Sequence, residues 1–215
     1  MKSKLLIAFI SFTLTSQAQT IHLTKASFKP YKHGPQEIVA DSTLAIANSV
    51  LNSQDFRDSL SALSFKNADN NCHCNNNIVL IDGLLKGQDA YNELFKISNP
   101  KIDLIFKKGS PTGGLGVTPV CTNTITSFVE AAKHNMSNLP VSSALAVNIC
   151  HEYFHSLGYC HTYDTLVESD RRPNGDAINW KVYNEDITYR IGWIAYDILN
   201  RWINTEHRKF PYDKP

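Results

Sequence analysis

The chain has 215 residues, 42% of them hydrophobic, and a formal net charge of +1. That length and apolar content suffice for one compact core and leave little for a second domain. A near-neutral chain has no basic field to gather phosphates or anionic headgroups, so neither nucleic acid nor a membrane surface is an expected partner.

At the N-terminus Lys2 and Lys4 precede an apolar run from Leu5 to Leu14 and then Ser16-Gln17-Ala18. The run is shorter than the roughly 18 apolar residues that cross a bilayer, and the pattern is that of a signal peptide over residues 1–18, cut after Ala18. A secreted or periplasmic protein follows, with no stable membrane association after signal cleavage and one domain over 19–215. Five cysteines remain there, Cys72, Cys74, Cys121, Cys150 and Cys160. An oxidising compartment permits disulfides, and the odd number leaves at least one thiol over.

Residues 20–34 are polar and broken by Pro30 and Gly34, and they read as a flexible lead or a short pro-segment within 19–35. From Gln36 to Leu63 apolar residues recur near helical spacing, which predicts one or two amphipathic helices with Asn52-Ser53 as break and cap. The Asn-rich stretch NADNNCHCNNN marks a surface loop, and a disulfide explains Cys72 and Cys74 better than a second metal site with His73. Residues 78–82 and 101–106 read as strands, with a helix over about 88–97 between them. The glycine-broken segment after Phe106 reads as a twisted or edge strand. Pro140 opens a helix to about Leu157, stopped by Gly158. A long loop over 162–186 precedes a last helix over about 187–205, with Ile191, Ile194, Ala195, Ile198, Leu199 and Trp202 on one face. His22, His33, His134 and His207 show no ligand spacing and read as surface residues.

Residues 151–161 are HEYFHSLGYCH, or His-Glu-x-x-His-x-x-Gly-x-x-His. Residues four apart on a helix stand one turn above each other, so His151 and His155 can face one ion. A glycine at 158 lets the chain reverse and bring His161 back as a third ligand, leaving the fourth position of a tetrahedral Zn2+ open. Glu152, beside the ligands, is then placed to act as a general base. Chance assembles five specified residues at this spacing on the order of once in 10⁵ chains of this length, which disfavours an ordinary helix with incidental histidines.

The eleven-residue stretch resembles the signature of the metzincin clan of zinc endopeptidases. The resemblance implies an α+β catalytic domain, with a twisted mixed sheet, an active-site helix bearing the first two ligands and a C-terminal helix. It also implies that Glu152 is the catalytic base, that Zn2+ is the cofactor and that a protein or peptide is the substrate. The substrate would lie along an edge strand that maps to Gly113 through Val120. The clan's methionine turn beneath the zinc has no counterpart, because Met1 and Met136 both precede His161. Asp186-Ile187-Thr188-Tyr189 is the place where other residues would form it, and Tyr189 is the candidate support or transition-state donor. Two rival readings remain at this stage: a zinc-binding scaffold without turnover, and a zinc hydrolase acting on a non-protein amide.

Overall fold

The computed structural model describes residues 20–32, 34, 37–65, 84–97, 99–161 and 186–210. The signal segment, His33, the Asn-rich loop with its two cysteines, the strand expected at 78–82 and the loop after His161 lie outside these residues. Within them the fold is α+β: a four-stranded mixed sheet, a small two-stranded sheet and six helices. No helix among the described residues is long and apolar enough to cross a membrane.

The main sheet runs in the order β1 (Thr24–Lys29), β4 (Lys101–Lys107), β6 (Thr124–Phe128), β5 (Gly116–Val117). β1, β4 and β6 are mutually parallel, and β5 closes one edge antiparallel to β6. β4 shows why the sheet has a core side. Ile102, Leu104 and Phe106 are buried while Lys101, Asp103, Ile105 and Lys107 are not, the period-two alternation of a strand covered on one face. The smaller sheet pairs β2 (Ser64–Phe65) with β3 (Leu85–Lys86).

β1 corrects the expectation of a flexible lead. Its sequence, TKASFK, is too polar to announce a strand, and the chain entering it is held by α1 (Glu37–Leu51). The Asn52 side chain accepts from Ile21 N–H and donates to Ile21 C=O, both at 2.7 Å. One helical turn earlier, Asn48 does the same for Leu23, at 2.7 and 3.0 Å. Two amides at i and i+4 thus act as a surrogate neighbouring strand and satisfy backbone groups that would otherwise need water.

Ser53 caps α2 (Gln54–Ser61) by accepting from Phe56 N–H at 3.1 Å, as the Asn52-Ser53 break implied. α3 (Gly87–Glu93) is shorter than the helix expected to reach residue 97. Its end tightens into i to i+3 bonds, from Leu94 to Tyr91, Phe95 to Asn92 and Lys96 to Glu93. The chain then turns at Asn99, where φ is +52°, to enter β4. α4 (Val129–Asn135) follows β6 directly, an element that the sequence reading did not separate from the strand.

α5 (Val141–Ser156) is the centre of the molecule. It is buried almost all round and packs against α1, α4, β6 and α6 (Ile187–Asn204). Ile191, Ile194, Ala195, Ile198, Leu199 and Trp202 of α6 are the buried face expected for the last helix. Its far end is tied to α2, where Asp55 pairs with Arg201 and accepts from Trp202 Nε1 at 3.3 Å. Cys150 sits free and buried in this core, as a small hydrophobe whose thiol pKa burial pushes up.

One contact fixes the edge strand relative to α5. The Asn148 amide donates to Ser127 Oγ at 2.8 Å in the buried space beside Gly116, the register partner of Ser127. A Cβ on Gly116 would stand 2.3 Å from Asn148 Nδ2 and 2.5 Å from Thr126 O. Gly116→Ala is therefore expected to destabilise the fold by about 1–3 kcal/mol through overpacking, read as a lower denaturant midpoint. An unchanged midpoint would mean that β5 does not pack this closely on α5.

Candidate metal centre

The last two turns of α5 carry His151 and His155 one turn apart, with ring centroids separated by 5.0 Å. The helix then ends in a Schellman motif. Gly158 takes φ +104°, Gly158 N–H bonds His155 O at 3.0 Å and Tyr159 N–H bonds Phe154 O at 3.1 Å. The Tyr159 ring packs on Phe154, centroid to centroid 5.5 Å, which is the apolar contact that accompanies this cap. A residue with a Cβ would be strained at that φ, so the glycine of the motif is required by the backbone.

The reversal has two chemical effects. First, it turns the Tyr159 carbonyl onto His155 Nδ1 at 2.6 Å. Second, it returns the chain so that His161 Nε2 stands 3.2 Å from His155 Nε2. Cys160, just before His161, is disulfide-bonded, as is Cys121. Cys121 donates its N–H to His155 O at 3.1 Å, so both bonded cysteines border the centre.

His161 is held from its other side by the start of α6. Its Nδ1 lies 3.1 Å from Asp186 Oδ2 and 2.9 Å from Thr188 Oγ1. Tyr189 stacks on the His161 ring, with centroids 4.3 Å apart, and lies 5.2 Å from His151. The segment proposed to replace the methionine turn is thus beside the histidines. It is the capped first turn of a helix rather than an independent turn.

Ligand-forming nitrogens of His151, His155 and His161 all lie within 4.8 Å of one another. The hydrogen bonds show that the group suits a cation. Nδ1 of His155 faces the Tyr159 carbonyl, so a neutral His155 keeps its proton on Nδ1 and turns Nε2 into the cluster as an acceptor. Nδ1 of His161 faces the Asp186 carboxylate, which directs its Nε2 at His155 Nε2 across 3.2 Å. Ligands in a tetrahedral zinc site, with Zn–N of about 2.0–2.1 Å, stand about 3.3 Å apart, and the spacing fits.

The surroundings keep His151 and His155 neutral. Burial, reinforced by the neighbouring histidines, lowers the pKa of His151 to about 3 and that of His155 to about 4. Burial raises Glu152 to about 7, opposed by Thr118 just after β5. Among the described residues Glu152 Oε2 and Thr118 Oγ1 are both buried without a hydrogen-bond partner, a costly state for a carboxylate oxygen in a core.

Of the residues singled out from sequence, the structure gathers His151, His155, His161 and Tyr189 into one cluster and sets Glu152 next to His151 on α5. His22, His134 and His207 are exposed, as expected. The motif did not reveal Asp186, Thr118 or Asn148. Asp186 had a signal, an aspartate standing where an N-cap precedes an apolar helix. No protein-family model, curated protein or solved structure matches the chain.

The lowered pKa values have a definite sign. An unfolded histidine protonates near pH 6.5, whereas folded His151 and His155 resist protonation down to about 3 and about 4. Their contribution to metal-free stability is therefore present above pH 6.5 and is lost as the pH falls toward those values. Glu152 acts in the opposite sense, since its raised pKa favours the folded state on acidification. The test compares urea midpoints at pH 7 and about pH 4.5 for the metal-free parent and for a His151→Asn/His155→Asn variant. The parent should lose more stability on acidification than the variant, and equal losses would contradict buried, neutral histidines.

Proposed function

We propose that the protein is a secreted zinc-dependent endopeptidase of metzincin type, with His151, His155 and His161 as the ligands and Glu152 as the general base. The observation that carries this reading is the pairing of three histidines able to hold a cation with a buried carboxylate next to them whose Oε2 has no hydrogen-bond partner among the described residues. A purely structural zinc site uses four protein ligands and has no need of such a group.

A bound zinc ion would supply Lewis acidity, acidifying water and polarising a peptide carbonyl. The remaining steps belong to the chain. Glu152 accepts the proton of the attacking water, held by burial at a pKa of about 7 in the metal-free protein, and returns it to the leaving amine. No covalent bond to the enzyme forms. β5 offers a short antiparallel edge, with Val117 half exposed, on which an extended peptide can pair its backbone. Thr118 follows directly and lies against Glu152, so a substrate on that edge would run past the base. Tyr189, stacked on His161, is the candidate for support of the transition state.

Replacing Glu152 by Gln keeps the side chain's size but removes the base. Zinc content should be nearly unchanged, while hydrolysis of a mixed peptide library falls by at least about 10². A parent that binds zinc fully and cleaves nothing, or a Gln variant as active as the parent, would leave the scaffold reading in its place.

A further inference from the structure

Asp186 has no exposed surface, and both its oxygens are engaged. Oδ1 accepts from Thr188 N–H at 2.9 Å, Thr188 Oγ1 at 2.8 Å and Tyr189 N–H at 3.1 Å. Those bonds satisfy the orphan donors of the first turn of α6. Oδ2 meets His161 Nδ1 at 3.1 Å.

We propose that Asp186 is the positioning residue of the metal centre: one carboxylate both caps α6 and fixes His161 as its Nδ1–H tautomer, so that the last helix seats the third ligand. The proposal rests on reading the three histidines as metal ligands. The Thr188 hydroxyl completes the arrangement by giving its proton to Asp186 Oδ1 while its oxygen faces His161 Nδ1. His161 Nδ1 is thereby flanked by two acceptors, and only Nε2 is left for a cation. Because the same carboxylate serves helix and ligand, docking of the first turn of α6 and occupation of the centre should favour each other.

Asp186→Asn separates the two roles. Asparagine caps helices about as well as aspartate, so Oδ1 can keep its three bonds. The amide NH₂ would then face His161 Nδ1, donor against donor, and favour the Nε2–H tautomer that cannot ligate. Zinc affinity of the mature chain, measured by competition with a chromophoric chelator, should fall about 10–100-fold, with the metal-free Tm close to the parent's. Asp186→Ala should lower both. The metal-free parent offers a test that needs no variant: imidazole ¹⁵N spectra should show His161 protonated at Nδ1, and this measurement decides alone if D186N does not fold. Equal zinc affinity in D186N and parent, or His161 found as Nε2–H in the parent, overturns the proposal. A parent that binds no zinc overturns the metal reading beneath it.

Discussion

The close approach of two imidazole nitrogens, Nε2 of His155 and Nε2 of His161 at 3.2 Å, is the constraint around which the site is arranged. The chain holds them there by three separate devices. The Gly158 cap reverses the backbone and sets the Tyr159 carbonyl against His155 Nδ1. The disulfide at Cys160 anchors the residue next to His161. The start of α6 supplies Asp186 and Thr188 to the far side of the His161 ring. Together with His151 these rings bring three nitrogens within 4.8 Å of one another, a group that could hold a metal ion.

The placement of α5 explains how the site is kept rigid. The helix packs against α1 and α6 and puts Leu145, Ile149 and Tyr153 into the core, so it cannot shift without opening that core. Its side toward the sheet is polar and specific, with Asn148 against Gly116 and Ser127 and, one turn on, Glu152 against Thr118. The strand edge beside Glu152 is also the outer edge of the main sheet among the described residues. The histidine cluster and that edge are thus tied through one contact between helix and sheet.

Much of this was legible in the sequence, and for identifiable reasons. The ligands, the helix over 140–157 and the reversal at Gly158 follow from spacing and local backbone rules, which need no tertiary information. The last helix follows from its apolar periodicity, and its proximity to the histidines from what the metzincin resemblance implies about a turn beneath the metal. β1 was not legible because its pairing is wholly non-local. TKASFK carries no alternation, and its anchoring depends on Asn48 and Asn52 across the chain. Asp186 was half legible: an N-cap can be read from sequence, but its second bond, to a histidine 25 residues earlier, belongs to the fold. Thr118 and Asn148 gain their roles only through contact with an edge strand two residues long.

The central claim is that three imidazoles, and no thiolate, hold the metal, and X-ray absorption at the zinc edge of the zinc-loaded mature protein tests it most directly. The expected spectrum is that of three imidazole nitrogens and one further light atom at about 2.0–2.1 Å, with the multiple-scattering pattern of histidine rings. A sulfur shell at about 2.3 Å, or a single imidazole among water oxygens, would contradict the account.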